Sequence, residues 1–366
     1  MLSDIHLMKA VASIQQRSER HEDLAKLIGT YVDVGLLPQL ENRNHQIFYG
    51  RRGTGKTHVM KVLDAKLRSG GGNVVAYVDC RTLGSTSQFS DVSLPMQQRC
   101  MSLFRDLLME VQNVFLQHIA EMADDRQEAS FSALEEFGRA ITEKVTVRVV
   151  ERNKEQESDL SSGFNVGGAV KSSLIDFSGQ VVGGASERHL TKVREEVLVS
   201  DKIIFPDLNA SISRVLVAAD RQLYLLIDEW SSLPIELQPF LAEFVKRGLL
   251  PNSRITVKIS ALEHRSRFRE EEGDRRWGFE LGADIATAPD LDDYYVYDRN
   301  PEKLTTTFAD ILFRHLKAEL PSDYMERSLG VRGGDQLASR LFTERAVFAE
   351  LARASEGVMR DLINIF

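Results

Sequence analysis

The sequence predicts an α/β fold: a parallel sheet flanked by helices, followed by a helical C-terminal portion. Three observations predict it. Short apolar runs at residues 45–49, 74–78, 223–227 and 255–259 read as buried strands. The stretches between them carry apolar residues at three- and four-residue steps, the period of an amphipathic helix. A glycine-bearing segment, GRRGTGKT, follows the first run directly, so that strand, tight loop and helix succeed one another. Apolar strands separated by helical stretches are the pattern of a parallel sheet covered on both faces.

Along the chain, residues 24–40 place Leu24, Leu27, Ile28, Tyr31, Val32 and Leu36 at helical spacing and predict one amphipathic helix before the first strand. A helix is expected from Lys56 to about Arg68, where SGGGN breaks it, and the next strand ends at Asp79. Residues 96–122 form a long amphipathic helix whose stripe (Cys100, Phe104, Leu107, Val111, Phe115, Ile119) is core. Residues 151–200 differ from their surroundings. The run SSGFNVGGAVKSSLIDFSGQVVGGAS predicts a Gly/Ser-rich β-type insertion, a hairpin in preference to a mobile loop. It is no second phosphate loop, because no Lys-bearing helix start follows Gly167 and Gly168. The tail is helical at residues 304–320 and 344–366 and reads as a lid. The expected division is an N-terminal helical segment (1–45), a core (46–300) interrupted by the insertion, and a C-terminal helical lid (301–366). The chain ends within what reads as a lid helix, so the natural protein is expected to continue beyond Phe366.

The 366 residues suffice for one large α/β domain and a smaller one. A composition of 43% hydrophobic and 27% charged residues supplies a core and excludes wholesale disorder. The net charge of −8 argues against a protein whose main task is gripping bare nucleic acid, which calls for a basic excess. The two cysteines, Cys80 and Cys100, belong to no CxxC or His/Cys cluster, which argues against a zinc site and a disulfide framework and points to a cytoplasmic setting. The N-terminal stretch lacks the apolar core of a signal peptide, and no apolar run is long enough to span a bilayer, so no membrane partner is expected.

Residues Gly50, Arg51, Arg52, Gly53, Thr54, Gly55, Lys56 and Thr57 fit G-x-x-x-x-G-K-S/T at every fixed position. A chance match in a chain this long is about one in a hundred on residue frequencies, and the flanking strand and helix are the context the motif requires. The glycines let successive N–H groups converge on phosphate oxygens, and the helix that starts there adds its positive dipole end. Lys56 is placed to reach the β- and γ-phosphates, and the Thr57 hydroxyl to ligate Mg²⁺. His58, next on the helix, is counted with the nucleotide-binding residues. The cofactors expected of this P-loop are ATP and Mg²⁺.

A P-loop that hydrolyses ATP needs a second strand delivering acid to the metal and the attacking water. The run LYLLIDE is a buried strand ending in Asp228 and Glu229. Ligands gather at the carboxyl ends of such strands, so both acids face the crevice of the P-loop. Asp228 would hold Mg²⁺ and Glu229 would act as general base.

With GRRGTGKT, LYLLIDEW, the strand ITVKISA and the terminal SEGVMRDLINIF, the chain resembles the AAA+ ATPases, nearest to the origin-recognition and initiator-loader branch and the related STAND ATPases. The resemblance spans roughly residues 17–260, interrupted by the insertion, with the C-terminal piece in addition. It implies a P-loop NTPase fold with a movable lid. It implies that Ser260 is sensor 1, a small polar residue reading the γ-phosphate, and that Arg360, in Gly357-Val358-Met359-Arg360, is sensor 2 on a lid helix. It also implies self-assembly, with an arginine finger supplied to the next subunit. EHRSRFR offers Arg265, Arg267 and Arg269, of which Arg265 is preferred. The stretch from RFREEEG to LDDYY follows no family pattern.

The function expected is an ATP-hydrolysing switch or motor that assembles with itself and acts on a partner, in defence or signalling, since the charge is acidic and no helix-turn-helix is evident. The alternative is a DNA-loading or transposition-type regulator. A small-molecule kinase would use the same loop, but Glu229 and the G-x-x-R lid argue against it. A non-hydrolysing scaffold is argued against by intact Lys56, Asp228 and Glu229.

Overall fold

The computed structural model describes residues 4–14, 24–84, 87–123, 125–142, 144–150, 195–201, 203–296 and 300–366. The chain opens with helices α1 (Ile5–Ser13), α2 (Leu24–Thr30) and α3 (Leu37–Leu40), then β1 (Gln46–Tyr49), α4 (Lys56–Ser69) and β2 (Asn73–Asp79). Helices α5 (Met96–Ala120) and α6 (Gln127–Thr142) lead to β3 (Lys144–Val150), β4 (Glu195–Asp201) and α7 (Phe205–Ala218). The strands β5 (Gln222–Asp228) and β6 (Ile255–Ala261) are joined through α8 (Gln238–Gly248). A hairpin of β7 (Arg269–Glu272) and β8 (Arg275–Gly278) and a short β9 (Ala286–Thr287) precede the C-terminal helices. These are α9 (Pro301–Glu319), α10 (Tyr324–Arg327), α11 (Gly334–Leu341), α12 (Arg345–Ala354) and α13 (Met359–Ile365).

Strands β2, β5, β6, β1 and β9 lie side by side in that order, every pair parallel. This is the helix-flanked parallel sheet of a P-loop NTPase. Alternation along each strand divides the core in two. Ile47, Val78, Leu225, Ile227 and Ile259 face α5, α7 and α8. Phe48, Val75, Tyr224 and Leu226 face α4, α9 and the N-terminal helices. Asp228 continues the series 224, 226, 228 and so stands on the α4 side, where β1 delivers its loop.

Residues 24–40 are not one helix. Helix α2 stops at Thr30 and α3 starts at Leu37. The Asp33 carboxylate accepts from the backbone N–H of Gly35 (2.9 Å), Gly35 takes φ +103°, and a proline stands at the start of α3. A local side-chain bond of this kind competes with the helix ladder and wins where a glycine can turn the chain. Residues 344–366 are likewise two helices. Glu356 (φ +49°) and Gly357 (φ +80°) turn the chain between α12 and α13. A Cβ on Gly357 would lie 2.3 Å from the Tyr295 carbonyl oxygen, so only glycine fits that turn.

Strands β3 and β4 pair antiparallel, Lys144 opposite Asp201 and Val150 opposite Glu195, and frame the Gly/Ser-rich stretch. The hairpin expected within it lies outside the described residues, which resume at residue 195.

The N-terminal helices pack on α9. Leu7, Ala10 and Ile14 share a buried cluster with Phe308, Ile311 and Leu312. The Tyr324 hydroxyl donates to the Asp4 carboxylate (2.7 Å), Lys26 pairs with Glu319 (2.6 Å), and the Arg314 guanidinium donates to the Tyr31 carbonyl (2.5 Å). No helix among the described residues is long and apolar enough to cross a membrane.

Candidate active site

The loop between β1 and α4 has its shape forced by its glycines. Gly53 and Gly55 take φ of +88° and +101°, where a side chain is strained. A Cβ on Gly50 would stand 2.9 Å from Thr54 Oγ1, and one on Gly53 would stand 2.9 Å from both the Arg360 Cβ and a Val358 methyl. Thr54 is fully buried and donates its hydroxyl to the Arg51 carbonyl (2.8 Å). Lys56 Nζ donates to the carbonyls of Gly50 (2.8 Å) and Arg51 (2.9 Å). Burial holds the Lys56 pKa below its usual value, against the opposing pull of Glu229, Asp228, Asp292 and Asp290. Thr57 occupies the first turn of α4, half-buried.

Asp228 is fully buried at the end of β5. The Tyr77 hydroxyl donates to its Oδ2 (2.7 Å), while Ser260 Oγ and the Glu229 backbone N–H (2.9 Å) donate to its Oδ1. Glu229 follows at φ +56°, a left-handed conformation uncommon outside glycine, which turns the chain abruptly at the strand end. Its carboxyl is half-buried. Burial, then repulsion from Asp228, raises its pKa, and Lys56 and Arg81 pull the other way.

From the C-terminal side, the Arg360 backbone N–H donates to the Gly53 carbonyl (3.1 Å). Arg51 donates from its backbone N–H (2.9 Å) and its Nε (3.2 Å) to Asp292 Oδ2, and from its terminal nitrogen to the Glu356 carbonyl (2.5 Å). The α12–α13 turn is thereby pinned to the P-loop. Arg360 Nε is buried with no hydrogen-bond partner among the described residues. An orphaned cationic donor beside Gly53 fits a phosphate oxygen, and the hard oxygen donors of Thr57 and Asp228 fit Mg²⁺.

The structure brings Gly50, Gly53, Gly55, Lys56, Thr57, Asp228, Glu229 and Arg360 to one end of the sheet. Ser260 lies there too, but fully buried, with its hydroxyl directed at Asp228 rather than standing free. His58 points its Nε2 to the Leu27 carbonyl (2.7 Å) and sets its ring edge-on to Tyr31. It lines a narrow cleft of about 10 Å³ with Tyr31, Val32, Gly55, Ile311 and Met359, beside the loop. Arg52 is exposed on the loop. Arg265 lies on the exposed turn Glu263–Arg265 that follows β6, while Arg267 and Arg269 are paired with Glu270 and Glu271. Sequence reasoning missed Tyr77 and Asp292. Tyr77 shares the strand face of Asp79, a signal in the alternation of β2. Asp292 carries none, being 241 residues from its partner Arg51.

Sheet order, phosphate loop and strand-end acids together define a P-loop NTPase, and a family model described as ORC-CDC6-like matches residues 17–356. The chain belongs to the ORC-CDC6-like family, and is thereby an ATPase of the AAA+ class, of the origin-recognition and initiator-loader type. ATP, usually with Mg²⁺, is the cofactor that membership implies. A search of curated proteins finds no match to the chain.

Proposed function

We propose that the chain binds ATP with Mg²⁺ in the loop of residues 50–57, hydrolyses it with Glu229 as general base, and uses the cycle to move the α12–α13 turn so that a partner is engaged or released. The observation that carries this reading is the convergence of Lys56, the Asp228–Glu229 pair and Arg360 on one loop. The loop N–H groups and the N-terminus of α4 receive the phosphates, and Lys56 meets them as a point charge. Mg²⁺, when bound, neutralises phosphate charge, and Thr57 and Asp228 are the residues that would hold it. Glu229 accepts the proton of the attacking water, for which a raised carboxyl pKa is suited. Arg360 meets phosphate charge from α13, so a change at the phosphate is felt by the helices packed on α9.

Glu229 must be ionised to act as a base, and its raised pKa moves the acid limb of the ATPase profile upward. Turnover is expected to rise with pH through a midpoint above the ordinary carboxylate range. An acid limb at or below that range in a steady-state pH profile would assign the base elsewhere.

Self-assembly belongs to this proposal, with Arg265 offered from its exposed turn to a neighbouring copy. For the partner, the origin-recognition type of the family favours duplex DNA, and the net charge of −8 favours a protein partner in signalling or defence. Steady-state ATPase activity across protein concentration, with and without duplex DNA, tests both. Specific activity rising with concentration and rising further with DNA supports a shared-site assembly on nucleic acid. Activity flat in both respects means a self-contained switch addressed to protein.

A further inference from the structure

Asp228 stands on the middle strand of the trio β2, β5, β6, and both neighbours reach its carboxylate. Ser260 serves Oδ1 from β6, and Tyr77 serves Oδ2 from β2. The two reach it differently. One step beyond the Ile227–Ile259 pair, Ser260 ends level with Asp228, so a short side chain suffices. On β2 the residue level with Asp228 is Asp79, whose carboxylate is held by Arg81 Nε (2.9 Å). Tyr77 pairs with Leu226, two residues earlier on the same face. Two residues of strand span about 6.6 Å, close to the reach of a phenol from its Cα. A long, rigid side chain with a donor at its tip is what position 77 requires, and phenylalanine would fill the same space without the donor.

We propose that Tyr77 is a positioning residue for metal-dependent nucleotide binding: its hydroxyl fixes the rotation of the Asp228 carboxylate, so that a single orientation is presented to the nucleotide's Mg²⁺. The proposal rests on the reading of Asp228 as a metal-holding residue. A carboxylate turns readily about its terminal torsion, which is broad; Ser260 and the Glu229 backbone N–H both hold Oδ1, and Oδ2 is held by Tyr77. The bond from Tyr77 to Oδ2 supplies the second anchor. Its loss leaves the fold and the phosphate loop in place and removes a hydrogen bond to a charged group, equivalent to about tenfold in affinity.

The test is titration of a fluorescent ATP analogue against the wild type, Tyr77→Phe and Lys56→Ala, in EDTA and across Mg²⁺ concentration. Tyr77→Phe is expected to bind in EDTA within about twofold of the wild type and to need about tenfold more Mg²⁺ for half-maximal enhancement. An unchanged Mg²⁺ requirement overturns the proposal. Equal weakening in EDTA and in Mg²⁺ also overturns it, since packing alone would act on both. A wild type that binds the analogue with no Mg²⁺ dependence would overturn the reading of Asp228 itself, an outcome separable from the other two.

Discussion

Glu229→Gln is expected to lower ATP turnover by about a thousandfold while leaving ATP affinity within a few-fold of the wild type. The amide has the shape of the carboxylate but cannot take a proton. The backbone bond from residue 229 to Asp228 Oδ1 does not depend on the side chain, so the turn at φ +56° is kept. Affinity is preserved because Glu229 belongs to the strand end and not to the phosphate loop, and removing its charge relieves repulsion with the nucleotide. Single-turnover hydrolysis beside equilibrium binding separates the two effects. A variant that hydrolyses at the wild-type rate would move the general base to another residue.

Lys56→Ala is expected to weaken ATP binding by at least about a hundredfold, the scale of two hydrogen bonds to charged groups. Two losses combine. The charge opposite the phosphates disappears, and the bonds to the Gly50 and Arg51 carbonyls that tie the start of the loop to α4 disappear with it. Lys56→Arg should not restore binding, because a planar fork does not fit where a compact ammonium sits between two carbonyls. Isothermal titration reads both variants, with urea denaturation to show that the fold survives. Unchanged affinity would contradict the assignment of residues 50–57 to phosphate.

Much of this was legible in the residues because it is periodic or local. Strands β1, β2, β5 and β6 are apolar runs bounded by breakers, and α4 and α5 carry clean stripes, so element type follows from the chain itself. The phosphate loop is one contiguous motif. What escaped depends on distant partners. The break at residues 31–36 takes its form from Asp33 and Gly35, and the break at Gly357 from the approach of Tyr295, 62 residues before it in the chain. Ser260 lies on β6 with its hydroxyl committed to Asp228, a contact that only the register of β5 and β6 reveals. Asp292 lies in a stretch without pattern and acts on Arg51 and Lys56, both far from it in the chain.

The packing of α1 and α2 on α9 sets an order of events during synthesis. Leu7, Ala10 and Ile14 are synthesised well before the helix that buries them, which begins at residue 301. At about 5–20 residues per second, the nascent chain carries that apolar face uncovered for roughly 15–60 s. The sheet and its phosphate loop lie wholly between these two points, so they can be complete before α1 and α2 dock on α9. The last contacts to form are then those that hold α9 and the helices around it. Chaperone demand and slow folding phases should therefore track the docking of α1 and α2 on α9 rather than the nucleotide-binding sheet.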